Sequence, residues 1–356
     1  MNIKNSLFRI AIYLWKKIFL SNKTDPIHPR YLIVSTTGLG DTLWGAPAIK
    51  SLKLSQPKAY IALLTSPIGQ EIFKHNPYID RIYIFKKSLF SQIRLIYTLR
   101  QAKIQTALIF HISQRPAIPL SIFGGASHLI GSQNMNKGLD FLLNIILPLT
   151  PIHEIKRRLN IIVKTGAREL SHHLELFTSP EDDVIDSFLQ KHQLSLETPL
   201  IGIHPGAKDS FKRWPARLYI EVADRLQKTL GYQILLSGNA SEKLLTEEIA
   251  SGLPGALLCN DLPVRSFSLL LKKLKLFITN DTGPMHLAFA MNTPTVALFG
   301  PTNPTLCGPY MATNVTIIKK QLTCTPCLRK KCKDPFCLLQ ISPEEVYKAA
   351  IDLILV

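Results

Sequence analysis

Four segments of the chain combine residue types that can bind or move charge. The first, Thr36-Thr-Gly-Leu-Gly-Asp-Thr-Leu43, sets one carboxylate, Asp41, beside Gly38 and Gly40 directly after an apolar run. Glycines there allow a tight turn and close approach of a ligand to the backbone. A dinucleotide fingerprint is only partly met, because Leu43 occupies the place of the third glycine. A Walker phosphate loop is excluded, since no Gly-Lys-Ser/Thr follows. Asp41 therefore has two readings: a base for chemistry, or the N-cap of the next helix.

The second segment is Ile203-His-Pro-Gly-Ala-Lys-Asp-Ser-Phe-Lys-Arg-Trp-Pro215, with Lys208, Lys212 and Arg213 in a turn after another apolar run. Cations so placed suit phosphates; the plainer reading is a solvated basic loop in which Trp214 anchors the following helix. The third is Thr279-Asn-Asp-Thr-Gly-Pro-Met-His286. Pro284 fits the first turn of a helix, and Asp281 or Thr282 can cap it. The free N–H groups at such a helix start favour an anion such as diphosphate. His286 serves either that site or simply the core. The fourth segment packs Cys324, Cys327, Cys332 and Cys337 within 14 residues. A structural zinc site, thiols without a metal, and disulfides all remain open for it. Cys259 and Cys307 read as ordinary buried cysteines.

Composition narrows the partners. The 356 residues hold 42 Lys and Arg against 25 Asp and Glu, a formal charge of +17, which favours anionic partners. No zinc-finger spacing, basic-region heptad or aromatic-basic RNA-recognition motif is present, so nucleic acid is not expected. The cations are spread over several segments, which fits a phosphorylated acceptor or an acidic membrane surface better. No stretch is apolar enough over 18 to 20 residues to span a bilayer. Residues Ser6 to Leu20 still form an amphipathic pattern, with Arg9, Tyr13, Lys16 and Lys17 on one stripe. An in-plane helix at a lipid surface is expected there; the alternative is a helix packed on the body of the protein.

The elements that must position these groups alternate short apolar strands with amphipathic helices, which implies parallel sheets covered by helices. One series of strands reads Tyr31–Ser35, Tyr60–Leu64, Arg81–Phe85, Thr106–Phe110 and Ser127–Gly131. A second reads Pro199–His204, Gln233–Ser237, Leu276–Thr279 and Thr295–Phe299. The polar, His-rich stretch from Thr150 to His173 reads as the connection. Two Rossmann-like halves would hold ligands at the carboxyl ends of their strands; one continuous doubly wound sheet is the competing architecture. The expected boundaries are 1–27 for the amphipathic helix and 28–175 for the first domain. Residues 176–340 form the second domain with the Cys cluster, and 341–356 a final helix.

Taken together, these segments resemble the bacterial heptosyltransferases, the lipopolysaccharide enzymes grouped as glycosyltransferase family 9. The likeness runs from about Tyr31 to the end. It rests on the Gly-Leu-Gly-Asp turn, His-Pro-Gly-Ala with Lys-Arg-Trp-Pro, and Asn-Asp-Thr-Gly-Pro-Met-His followed by Leu-Phe-Gly-Pro-Thr. The final Cys cluster leading into Ile341-Ser-Pro-Glu-Glu-Val346 completes it. The resemblance implies an α/β protein of glycosyltransferase-B architecture, two Rossmann-like domains facing across a cleft, with acceptor on the first and nucleotide-sugar on the second. It implies inverting, metal-independent transfer of heptose from ADP-heptose to a phosphorylated lipid A/core oligosaccharide acceptor, on the cytoplasmic face of the inner membrane.

Residue by residue, the resemblance makes Asp41 the general base, with Gly38 and Gly40 in the acceptor turn. Lys212 takes the donor's diphosphate, Asp281, Thr282, Gly283 and His286 grip phosphate and sugar, and Glu242 takes the ribose hydroxyls. Where some relatives carry Thr or Ser, this chain has Gly206 and Ala207, so phosphate contacts there fall to backbone N–H groups. Rival readings are a transferase of the same fold using another nucleotide-sugar and a non-hydrolysing sugar-nucleotide epimerase. A nicotinamide-dependent dehydrogenase and a non-catalytic nucleotide-sugar or lipid-binding module are the others.

Overall fold

The computed structural model describes residues 10–15, 27–182, 184–191, 198–260, 262–320, 332 and 336–355. It divides into two units, Met1–His172 and His173–Val356. Unit 1 carries strands β1 (Arg30–Thr36), β2 (Tyr60–Thr65), β3 (Arg81–Ile84), β4 (Thr106–Ile112), β5 (His128–Ser132) and β6 (Ile145–Leu147). Its helices are α1 (Leu39–Leu43), α2 (Ala46–Ser55), α3 (Pro67–Phe73), α4 (Leu89–Gln101), α5 (Ala117–Phe123) and α6 (Glu154–Val163). Unit 2 carries β7 (Leu200–His204), β8 (Gln233–Ser237), β9 (Leu257–Cys259), β10 (Leu276–Asn280), β11 (Thr295–Phe299) and β12 (Val315–Lys319). Its helices are α7 (Ile185–Lys191), α8 (Ala216–Leu230), α9 (Lys243–Ser251), α10 (Val264–Lys273), α11 (Gly283–Ala290), α12 (Pro304–Cys307), α13 (Phe336–Leu339) and α14 (Pro343–Leu355).

Each unit builds one six-stranded parallel sheet, ordered β3-β2-β1-β4-β5-β6 in the first and β12-β11-β10-β7-β8-β9 in the second. Counted from its own first strand, each sheet has the same spatial order, 3-2-1-4-5-6. Two separate sheets are the Rossmann-like pair of the glycosyltransferase-B architecture, and the single continuous sheet is set aside. In each, the topological switch falls between the first and fourth strands, β1/β4 and β7/β10, the place where open parallel sheets bind ligands at their strand ends. The central strands are apolar and buried on both faces, as helix-covered parallel strands must be: β1 shows Leu32, Ile33 and Val34 fully buried, and β10 Leu276, Phe277 and Ile278.

Helices pin the strand ends. Trp214 is buried, packs edge-on against Tyr219 of α8 at 4.9 Å, and donates its indole N–H to the Ile341 carbonyl at 3.1 Å. Truncating so buried an aromatic costs about 3–5 kcal/mol, so Trp214 anchors α8 beneath the basic loop.

Several expectations need correction. The stretch from Thr150 to His173 is not a mere connection, because it contains α6, which is part of unit 1. Ile155, Leu159, Ile161 and Ile162 are buried along α6, and so are Arg157 and Arg158. Both arginines reach Glu154, at 3.1 and 2.7 Å across one helical turn, which lets polar residues enter the interior. Strands β6, β9 and β12 were not foreseen: β6 and β9 have three residues each, and β12 is only half-buried. Cys259 is buried, but Cys307 is partly exposed.

Residues 10–15 are helical, with Ile12 buried in the unit 1 core and Trp15 edge-on to Phe123 at 5.6 Å. Among the described residues, no helix is long and apolar enough to cross a membrane.

Candidate active site

In unit 1 the site is built at the ends of β1 and β4. The helix after β1 begins three residues earlier than a capping Asp41 requires. Gly38 occupies the N-cap position, its carbonyl accepting from Thr42 N at 3.0 Å, and Asp41 lies inside the first turn of α1. The N-cap reading of Asp41 is therefore withdrawn. Gly38 has φ −75° and ψ −178°, which any residue adopts, and a Cβ added there would meet open space. Its glycine leaves room beside the backbone rather than permitting a strained turn.

Asp41 is held from behind. The buried Arg158 donates to its carbonyl oxygen at 3.1 Å and to the Glu154 carboxylate at 2.7 Å, while its guanidinium stands over the Trp44 ring at 5.4 Å. Burial raises the Glu154 carboxyl, but Arg158 and Arg157 outweigh it and hold the group below its ordinary value. The Asp41 carboxylate stays 38% exposed, so it is anchored through its backbone and open at its side chain.

His111, a residue missed in the sequence, faces Asp41 at 3.8 Å from the end of β4. A register shift at Val34/Ser35 sets Ser35 opposite His111 in the ladder. Burial lowers the imidazole's pKa against the opposing pull of Asp41. At neutral pH His111 is thus a neutral neighbour of Asp41.

In unit 2 the loops after β7 and β10 are tied together by Asn280. Its amide donates to the carbonyls of Pro205 and Gly206 at 2.8 and 3.3 Å, and its oxygen accepts from Trp214 N at 3.1 Å. This fixes the basic loop beside the start of α11. Lys212, at the end of a 3₁₀ turn over Ser210–Lys212, then reaches Asp281 at 2.7 Å. The same Asp281 oxygen accepts from Thr302 Oγ1 at 2.5 Å, and Lys319 donates to the Thr302 carbonyl at 2.8 Å. Thr282 is the N-cap of α11 with no side-chain capping bond, Pro284 sits in its first turn, and His286 is buried edge-on to Phe289 at 5.8 Å. A lysine beside the N–H groups of a helix start is suited to holding an anion.

Glu242 is buried close by the β7 loop. Its Oε2 accepts from Asn239 N and Nδ2 at 3.0 and 2.7 Å, a capping box, and lies 3.9 Å from His204 Nε2. Gly206 packs directly against it: a Cβ there would fall 2.2 Å from Glu242 Oε1. His204 Nδ1 is 3.2 Å from Ser237 Oγ, and burial pushes the His204 imidazole down while Glu242 pulls it up.

The structure thus gathers Lys212, Asp281, Thr282, Gly283 and His286 at one end of the unit 2 sheet, and places Glu242 under Gly206. Asp41, Gly38 and Gly40 stand at the corresponding strand ends of unit 1. His111, Arg158, Asn280 and Thr302 escaped notice as partners. His111 was the most accessible of them, since strand order alone puts the end of β4 beside that of β1. Of the cysteine cluster, Cys332 and Cys337 are partly exposed, and Cys337 packs by Gly300. Cys324 and Cys327 lie outside the described residues, so the expected zinc set does too. Among the described residues, no three His, Cys, Asp or Glu side chains converge as metal ligands.

Comparison with known proteins agrees with this architecture. The chain is 28% identical over 327 residues to lipooligosaccharide heptosyltransferase 2 of Campylobacter jejuni, spanning 89% of this chain and 96% of that one. The solved structure of Escherichia coli ADP-heptose lps heptosyltransferase II superposes with a TM-score of 0.76 at 22% identity, covering 92% of this chain and 98% of the other. A glycosyl transferase family 9 protein from Veillonella parvula gives 0.81 at 22% identity, with 94% and 98% covered. The family profile of glycosyltransferase family 9 (heptosyltransferase) matches residues 154–336, and the chain belongs to that family of glycosyltransferases.

Proposed function

We propose that this glycosyltransferase moves heptose from ADP-heptose onto a lipopolysaccharide core acceptor with inversion at the sugar. The observation that carries the reading is the Lys212–Asp281–Thr302 cluster at the start of α11, set by Asn280 at the switch point of unit 2. A diphosphate placed there meets an ammonium and helix N–H groups, which stabilise the charge that develops as the sugar–phosphate bond breaks. Glu242 takes the ribose hydroxyls, Asp281 orients Lys212, and His286 and Gly283 line the sugar end.

In the transfer itself, the acceptor hydroxyl oxygen attacks the anomeric carbon, the bond to the diphosphate oxygen breaks, and ADP departs with the electron pair. Asp41 takes the hydroxyl proton as the new bond forms. General-base assistance of this kind is worth about 10²–10⁴-fold. The chain's own charges carry the reaction, and no catalytic cofactor is required. The acceptor is phosphorylated lipid A/core oligosaccharide, so the enzyme works peripherally at the cytoplasmic face of the inner membrane.

The test is ADP release from ADP-heptose with and without heptose-deficient lipopolysaccharide, with the sugar product analysed by mass spectrometry. Acceptor-dependent ADP release with a heptose added to the acceptor is expected. Donor conversion without acceptor would identify an epimerase instead, and ADP-heptose binding without turnover on any acceptor would identify a binding module.

A further inference from the structure

Helix α4 is apolar on two sides. Leu95 and Leu99 face the unit 1 core, whereas Leu89, Phe90, Ile93 and Tyr97 point outward, Phe90 being 77% exposed. At 3.6 residues per turn the four outward side chains fall within an arc of about 100°, so they form one stripe. Beside the stripe runs a groove of about 420 Å³, walled by Leu89, Ile93, Ile96, Pro119, Leu120 and Phe123. Residues 10–15 pack on the same wall through Trp15 and Phe123, and carry Ile10, Tyr13 and Leu14 outward. An apolar area of this kind on one face calls for a partner.

Charge selects the partner. Between Asp80 and Asp140 the chain has no acidic residue and eight cations. Lys86 and Lys87 are exposed immediately before α4, Arg94 is exposed on it, and Arg100 stands over the Trp15 ring at 5.9 Å. Apolar side chains ringed by cations, with no carboxylate among them, match a bilayer whose headgroups are anionic: the side chains enter the acyl boundary and the cations meet phosphates. A second copy of this chain, itself at +17 and bringing the same cations, supplies no acidic complement to the face, whereas anionic headgroups do.

We infer that the α4 stripe and the α5 groove are a membrane-docking face, seating unit 1 on an anionic lipid surface. The inference rests on the reading above that the acceptor is lipid-anchored, and it assigns the contact to α4 rather than to the N-terminal segment alone. It also explains why a Rossmann-like unit would leave four large apolar side chains outward on a helix already anchored by Leu95 and Leu99.

The full chain should be titrated with vesicles of phosphatidylglycerol and phosphatidylethanolamine, and with phosphatidylcholine vesicles. The parent should bind the anionic vesicles, and more weakly as salt rises from about 0.15 M to about 0.5 M. Phe90→Ser with Ile93→Ser should lower binding at least tenfold without lowering Tm, since both side chains are exposed. Lys86→Ala with Lys87→Ala should lower it roughly fivefold per cation on anionic vesicles only. A serine variant that binds as the parent does would overturn the inference. So would a parent that ignores vesicles but forms a dimer lost in that variant, an outcome that assigns the stripe to a second copy. Turnover of a water-soluble, deacylated acceptor reports on the transferase reading separately: its absence in the parent defeats that reading and leaves the vesicle result standing.

Discussion

The Asp41 carboxylate in the first turn of α1 and the His111 imidazole at the end of β4 stand 3.8 Å apart, although 70 positions separate them in the chain. The fold brings them together at the switch point of unit 1, while Arg158 holds Asp41 by its carbonyl and leaves the carboxylate exposed. A carboxylate so placed, beside a neutral imidazole, is suited to receive a proton.

Replacement of Asp41 by Asn should lower turnover by at least about 100-fold. The side chain is not the N-cap, so the stability change should stay within the roughly 0.3–1 kcal/mol of a first-turn acid on the helix dipole. ADP-heptose affinity should stay within a few-fold of the parent. Steady-state rates, calorimetry and denaturant melts on one preparation check all three, and near-parental turnover would remove Asp41 from the chemistry.

Lys212→Ala should weaken ADP binding about 10- to 100-fold, the worth of a hydrogen bond to a charged group. Adenosine binding should be unchanged, since it lacks the diphosphate. Equal losses for both ligands would mean that the loop had collapsed rather than that a phosphate contact was lost.

Gly206→Ala should destabilise the protein by about 1–3 kcal/mol through forced displacement of Glu242. In a Glu242→Ala background the same change should cost almost nothing, because the colliding carboxylate is gone. Urea unfolding of the four proteins measures this coupling. A cost that persists undiminished would show that the backbone, and not Glu242, demands glycine.

Acidification should destabilise the fold through His204 and His111. Burial holds both imidazoles below their ordinary value in the folded chain, so below pH of about 6.5 the unfolded chain binds more protons. Stability is then complete above that pH and falls as pH drops toward the folded-state values. His204→Gln should reduce the slope of unfolding free energy against pH by up to about 1.4 kcal/mol per unit in that window. Superimposable slopes for parent and variant would be evidence against a buried neutral His204.

Much of the architecture was legible because parallel strands are written as short apolar runs. Tyr31-Leu-Ile-Val, Gln233-Ile-Leu-Leu and Thr295-Val-Ala-Leu each seed a central strand. Edge strands carry weaker signals: β6 and β9 offer three residues each, and β12 is half-buried, so none is distinguishable from a loop by pattern. Helix α6 was hidden by its charges, which become tolerable inside only once Glu154 pairs with Arg157 and Arg158.

The candidate site divides in the same way. Residue type and order alone determined that Asp41, Lys212 and the Asn280-to-His286 turn follow strands, because turn chemistry and helix starts are local. Partners are not local. Lys212 meets Asp281 across 69 positions and Asn280 meets Pro205 across 75, and no periodicity encodes which strand ends become neighbours. That was decided by the sheet order, which sets β4 beside β1 and β10 beside β7. Only the tertiary structure could therefore give Asp41 its histidine and place the Glu242 carboxylate where Gly206 has no side chain. Each depends on which groups share a volume from which water is excluded, and a sequence states the groups without stating the volume.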